Sequence, residues 1–323
     1  MLKEEDIKLK KTNNENIKNA FKKSMKKHKG NKPAQIMTII IFAVIGIATL
    51  YFGEEFVSSS NQPGITGQAT GNLEVSYLDV GQGDSAYIRV NDFDILIDAG
   101  PRSDADKLIK QLEAKKIDDF EMVIATHPHE DHIGGMVKVF EKYDVEEFYM
   151  PTVTHTTKTF ENMVNAVAKE GIKIKTIKEG MTFDLGEGAG IEVYSPMYES
   201  YEEFNDYSPI MKLTFGETDL IFTGDAEYHA EQEVVAKYPT NLKAEVLKFG
   251  HHGSSTSSTE AFVEAVSPEY GIISCGIDNK YGHPHRETLE KIDKYGIESY
   301  RTDKNGQITL TSDGKTISIK TEK

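Results

Sequence analysis

From His127 to His132 the chain reads His-Pro-His-Glu-Asp-His, three histidines and two acids in six consecutive residues. Neutral imidazole and carboxylate ligate zinc, manganese or iron without help from cysteine. His127 and His129 are two apart, so an extended backbone turns them to one side. Asp131 and His132 follow where the chain turns and can face a second ion. Pro128 stiffens the loop between them. The run Met122-Val123-Ile124-Ala125 before the cluster reads as a buried strand, and Met136–Phe140 beyond Gly134-Gly135 reads as a helix. The cluster therefore sits at a strand end, where open α/β sheets place their sites.

Other residues of the same chemistry recur after apolar runs. Asp225 closes the run Leu220–Gly224. His251 and His252 follow the strand pattern Ala244–Phe249. An extended chain would turn the two histidines opposite ways, with His251 toward a metal and His252 toward substrate; the reverse assignment stays open. Ser254 and Ser255 offer hydroxyls and amides to phosphate oxygens. His283, His285 and Arg286 crowd the start of a helix, where amide hydrogens and the helix dipole favour an anion. A plain loop is the alternative for His-Pro-His. Asp79, Asp84 and Asp98 lie at strand ends, either supporting a metal from behind its ligands or making turns. His155, alone in a Thr-rich loop, reads as solvated or substrate-facing.

His127-x-His129-x-Asp131-His132 resembles the signature of the metallo-β-lactamase fold superfamily. Leu78-Asp79-Val80-Gly81-Gln82-Gly83-Asp84-Ser85, His251-His252-Gly253-Ser254 and Tyr281-Gly282-His283-Pro284-His285 resemble the C-terminal hydrolase domain of the ComEC competence proteins. The similarity runs from about Asn72 to Lys320. It implies an αββα sandwich, two mixed sheets face to face with helices outside. It also implies two divalent metal ions, Mn or Zn, bridged by Asp225, and a phosphodiesterase, most simply a nuclease acting on single-stranded DNA. In that reading Asp131 orients the nucleophile, and His252 or His283 protonates the leaving oxygen or neutralises the phosphate. Many members carry a third histidine at the first metal, ahead of the hairpin at 210–222. This chain has no histidine between 156 and 228. An oxygen ligand there would favour Mn²⁺ over tight zinc. Two other functions compete: hydrolysis of a cell-wall phosphodiester or small nucleotide, and a non-enzymatic uptake partner with a decayed site.

The elements that would position these groups alternate. Strands are expected at 73–78, 85–90, 94–98, 147–151, 172–177, 191–195, 210–215, 220–225, 244–249 and 270–275. Helices are expected after Ser103, over 158–170, after Ser258 or Thr259, and from Arg286 to Tyr295. A hairpin closes the chain through Ser312-Asp313-Gly314-Lys315. Alternating strands and helices indicate an α/β class. Cys275, the single cysteine, ends an apolar run and reads as a small core residue, which excludes an internal disulfide.

The 323 residues suffice for one hydrolase domain over 72–323 plus appendages. The net charge of −15 is unevenly spread. Residues 1–35 hold eleven lysines and four acids; the remainder holds 26 basic against 48 acidic residues, a net −22. Ile36–Phe52 contains no charge, is about the length that spans a bilayer, and is followed by Glu54 and Glu55. A transmembrane anchor is therefore expected over 36–53, with the basic segment cytoplasmic and the catalytic domain extracytoplasmic at the cell membrane. A cleaved signal peptide and a core helix are the competing readings, and no small-x-small cleavage site supports the first. Residues 54–71, rich in Ser, Gly and Gln, read as a linker. The expected partners are the substrate, the membrane through that one helix, and competence or cell-envelope proteins.

Overall fold

The structure is a computed structural model and describes residue 69 and residues 71–323. The expected basic segment, membrane anchor and nearly all of the expected linker lie outside these residues. Among the described residues no helix is long and apolar enough to cross a membrane.

Two mixed sheets form the middle of the domain. The first has the strand order β15-β14-β1-β2-β3-β4-β5-β6, with β1 Leu73–Tyr77, β2 Ala86–Val90, β3 Phe93–Ile97, β4 Asp119–Ile124, β5 Asp144–Met150, β6 Ile174–Thr176, β14 Ile308–Ser312 and β15 Ile317–Thr321. The second has the order β13-β12-β11-β10-β9-β8-β7, with β7 Thr182–Asp184, β8 Ala189–Val193, β9 Met211–Phe215, β10 Thr218–Phe222, β11 Val246–Lys248, β12 Tyr270–Ile273 and β13 Glu298–Arg301. Inward-facing residues of both sheets, among them Val75, Ile88, Leu213, Phe215, Leu220 and Ile272, share one core. The period-two alternation of β1, β2 and β9 supplies that apolar face.

Helices cover the outer faces. α1 Ala105–Ala114, α2 Glu130–Ile133, α3 Met136–Lys142 and α4 Lys158–Glu170 follow strands of the first sheet, and α4 buries Phe160, Met163 and Val167 at helical spacing. α5 Tyr228–Lys237, α6 Glu260–Val266 and α7 Arg286–Tyr295 pack on the second sheet, where Val234, Phe262, Val263 and Ile292 join Leu247 and Phe249 in an outer core. A single turn, α8 Thr302–Asn305, precedes β14. Cys275 is buried and free, as expected of a small core residue.

Boundaries moved inward in most strands, because apolar patterns overrun into the loops that leave the sheet. Three elements had no clear pattern in the sequence: β7, whose residues are mostly exposed; β13, an edge strand; and α5, whose buried face includes the charged Glu231. A carboxylate on the inner face hides a helix from a hydrophobicity reading.

The parallel parts of the sheets matter most for the site. β3 to β6 run parallel in one sheet and β10 to β13 in the other. The loops leaving β3, β4, β10, β11 and β12 carry Asp98, the His127–His132 cluster, Asp225, His251-His252 and Ser274. These loops meet at one edge of the sandwich.

Candidate metal centre

Four of the histidines, His127, His132, His251 and His252, are each oriented by a partner on Nδ1, which turns Nε2 toward the centre. His132 Nδ1 lies 2.7 Å from Asp98 Oδ2, and Asp98 also accepts from Thr126 N at 2.8 Å and Thr126 Oγ1 at 2.7 Å. His252 Nδ1 lies 3.1 Å from Ser274 O and 3.4 Å from Asp84 Oδ1. His127 Nδ1 is near Thr126 Oγ1 and Ser208 Oγ, at 3.1 and 3.3 Å. His251 Nδ1 lies 3.0 Å from Glu227 Oε1, and that carboxylate is fixed by Asn205 Nδ2 and Thr256 Oγ1.

The Nε2 atoms of these four histidines converge on one oxygen. Asp225 Oδ2 is 3.1 Å from His132, 3.6 Å from His252, 3.7 Å from His127 and 3.8 Å from His251. His129 Nδ1 lies 3.0 Å from His127 Nε2, and Asp131 Oδ2 lies 3.3 Å from His252 Nε2. His132 Nε2, His252 Nε2, Asp225 Oδ1 and Asp84 Oδ1 are buried without a directed hydrogen bond. The 3.1 Å approach of His132 Nε2 to Asp225 is thus a contact without hydrogen-bond alignment. Buried polar atoms normally find partners. Donors that crowd one point yet bond poorly to each other fit a shared cation. Asp84, His132, Asp225 and His252 each place one donor atom within 4.8 Å of the others.

Charge supports the same conclusion. Burial opposes ionisation of Asp225, but His132 and His252 outweigh it and hold its carboxyl well below the usual range. Burial likewise disfavours charge on His252, yet Asp225 and Asp84 push it up to about 10. Burial and His132 together drive His127 well below its ordinary value, so it is a neutral donor. Carboxylates that raise the proton affinity of buried imidazoles raise their affinity for a metal cation by the same field.

The local sequence makes these approaches feasible. His251 and His252 both have left-handed backbones, φ +48° and +56°, a conformation costly for residues with a Cβ and common at functional sites. This turn brings both rings toward Asp225, where an extended strand would part them. A Cβ on Gly253 would lie 2.6 Å from Pro284 Cβ, and one on Gly83 would lie 2.4 Å from the Asp131 carbonyl. Only glycine lets the loops close on each other at these points.

An open cavity of about 410 Å³ reaches the cluster, lined by His129, Asp131, His155, Asp225, Tyr281 and His283 among others. The expected sites distribute as follows. His127, His129, Asp131, His132, Asp225, His251 and His252 are brought together. His251 lies beside Asp225, as expected of a ligand, at the partly exposed side of the cluster, and His252, expected to face the substrate, is buried in the cluster as well. A buried His252 faces Asp225 and Asp131, not the substrate. His283 lines the cavity, with burial and the neighbouring His252 and His251 lowering it to about 4. Ser254, Ser255, His285 and Arg286 do not line it. Ser254 is buried, Ser255 and His285 bond each other through Ser255 N and His285 Nδ1, and Arg286 is exposed beside Glu290. His155 does face the cavity. Asp84, Asp98, Glu227 and Lys248 are the supporting groups. For Asp84 and Asp98 the strand-end position was a signal; for Glu227 and Lys248 the sequence offered none.

Residues 78–277 match the family model of the Metallo-beta-lactamase superfamily. The chain belongs to that superfamily. It is 34% identical over 253 residues to ComE operon protein 3 of Bacillus subtilis (strain 168), covering 73% of this chain and 32% of that protein. It is 29% identical to Competence protein ComA of Neisseria gonorrhoeae, covering 72% of this chain and 31% of that protein. The chain thus spans about a third of the length of these relatives. The metallo-beta-lactamase fold protein YhfI from Bacillus subtilis superposes with a TM-score of 0.50 at 14% identity, over 75% of this chain and 100% of that one. The fold expected from the His-x-His-x-Asp-His motif is thereby shown. The domain is an α/β metallo-beta-lactamase-fold hydrolase with competence-protein relatives.

Proposed function

We propose that this domain is a metal-dependent phosphodiesterase that cuts DNA, held outside the cell membrane by one helix over 36–53. The observation that carries the chemistry is the convergence of four histidine Nε2 atoms on Asp225 Oδ2. His127, His129 and His251 with Asp225 would hold one divalent ion; Asp131, His132 and His252 with Asp225 would hold the other. His251 then stands in for the third histidine that the 156–228 stretch lacks. Two divalent ions held there, Mn²⁺ or Zn²⁺, would supply Lewis acidity that makes water a nucleophile near neutral pH and would offset phosphate charge.

The remaining steps belong to side chains. Asp131 is half-buried at the cavity, and its carboxyl stays ionised because His252 and His132 outweigh its burial. It is placed to accept a hydrogen bond from the attacking water and orient it. His283 lines the cavity with Nδ1 unpartnered, and it is neutral at pH 7. Its role is a hydrogen bond to the phosphate or the leaving oxygen, not the standing charge of an imidazolium. His252 is withdrawn from that role by its burial.

DNA as substrate is supported by the ComEC-like flanks and by a relative named for competence. The net −22 of the chain after residue 35 disfavours a long duplex footprint, since phosphate contacts need lysine and arginine. A short single strand at a metal centre is compatible with it. The same acidity also suits a small nucleotide or wall phosphodiester. Full-length chain in detergent with Mn²⁺ or Zn²⁺ should cut single-stranded DNA and lose activity with chelator. Cleavage of isolated wall polymer with DNA untouched would replace DNA as the substrate, and fewer than about one ion per chain at neutral pH would indicate a decayed site.

A further inference from the structure

We propose that Tyr281 is the stacking platform for an unpaired nucleobase next to the scissile phosphate, an inference that rests on the phosphodiesterase reading. Tyr281 is 52% exposed, and Ile277 in the same loop is 66% exposed. Among the large exposed apolar residues described, Tyr281 alone lines the cavity. Its ring is nearly parallel to that of His283, at 22° with centroids 5.6 Å apart. His283 in turn lies at 29° to His252, with centroids 6.1 Å apart. Three rings therefore step from solvent down to the buried cluster.

The exposure is not that of a loose loop. Asn279 Nδ2 donates to Gly276 O and His283 O, and Asn279 Oδ1 accepts from His283 N. Gly276 N donates to Gln82 Oε1, which ties the loop to the first sheet, and His285 Nε2 lies 3.1 Å from Tyr281 O. A rigid, half-bare aromatic at the mouth of a phosphodiester site keeps little entropy to lose when a flat partner covers it. Lys280 Nζ sits 4.9 Å from the ring centroid. As an exposed flexible amine it can swing from the ring to a backbone phosphate when a base takes its place. Aromatic face plus adjacent cation is the arrangement that binds single strands without reading sequence. A duplex keeps its bases stacked inside and cannot use it.

The test compares full-length Mn²⁺-loaded wild type, Tyr281→Ala and Tyr281→Phe. Binding is measured by anisotropy with labelled oligothymidylate and with an equally long oligomer of base-free tetrahydrofuran sites. Wild type should prefer the oligothymidylate, Tyr281→Ala should reduce that preference roughly 5- to 100-fold, and Tyr281→Phe should retain it. An unchanged preference in Tyr281→Ala overturns the proposal. So does tighter binding of a base-free glycerol-phosphate wall polymer that is lost on Tyr281→Ala, since the ring would then serve a sugar or polyol. If the preference behaves as expected while no phosphodiester is cut, the catalytic reading fails and the platform stands.

Discussion

Lys248 Nζ lies 2.8 Å from Asp84 Oδ2, with both side chains buried beneath the candidate metal centre. Lys248 ends β11 of one sheet, and Asp84 precedes β2 of the other, so the pair ties the two sheets together behind His252. Burial opposes its charge, yet Lys248 and His252 hold the Asp84 carboxyl at about 2. The lysine takes one oxygen and leaves the other 3.4 Å from His252 Nδ1. Lys248→Met should strand a buried carboxylate and cost on the order of 3–5 kcal/mol. Chemical denaturation would read this, and Lys248→Met with Asp84→Asn should recover most of the loss. No recovery would mean that the two side chains are not energetically paired.

Asp131→Ala should abolish hydrolysis, because the residue sits in the cluster and faces the cavity. His283→Ala should lower the rate roughly 10²–10⁴-fold and leave the metal content near normal. Elemental analysis beside kinetics separates the two. An ion lost with His283→Ala would make His283 a ligand.

Glu227 fixes the ring of His251 from behind, and Asn205 and Thr256 fix Glu227. Glu227→Gln should weaken binding of one ion by roughly 10–100-fold, as such supporting carboxylates do. His251→Ala should weaken that same ion and His252→Ala the other. Titration of the metal-free protein with Mn²⁺, followed by calorimetry, resolves the two sites. If His251→Ala binds both ions as the wild type does, another group completes the first site.

Glu231 is buried and accepts from Ser258 N at 2.5 Å and Thr259 N at 2.7 Å, at the end of the loop that carries the paired histidines. Burial, only partly offset by those amides, raises its pKa to about 7. A carboxyl raised on folding contributes its full stability below its unfolded pKa. That contribution is lost as the pH rises from about 4.5 to about 7, a change on the order of 3 kcal/mol. Glu231→Gln should flatten stability over this window. Melting temperatures of the two proteins between pH 5 and 8 would show it, and parallel curves would contradict it.

Seven lysines lie between residues 17 and 35, before the uncharged stretch Ile36–Phe52, and Glu54 and Glu55 follow it. If that stretch is the proposed membrane helix, the positive-inside rule predicts that the hydrolase domain lies outside the membrane. Protease added to intact cells should remove it. Protection until lysis would reverse the topology.

His-x-His-x-Asp-His after an apolar run, with Asp225 and the paired histidines after two more, was legible in the sequence. Ligand chemistry and position at strand ends are local properties, and period-two and period-3.6 patterns placed most of the elements that carry them. The sequence alone also determined the charge contrast between the first 35 residues and the rest. The tertiary structure decided which groups face each other. The sequence reading assumed extended alternation at His251-His252, whereas two left-handed residues turn both rings toward Asp225. No local pattern marks Glu227, Lys248 or Glu231; their roles arise only where the sheets and α5 pack around them. Ser255, by its hydroxyl and amide, and His285 and Arg286, by their place at a helix start, looked like anion-binding groups, yet they bond to one another or face solvent outside the cavity. A residue's type sets what it can do, but its partner is fixed by contacts between segments far apart in the chain, such as the 164 residues separating Asp84 from Lys248. Local periodicity carries no information about those contacts.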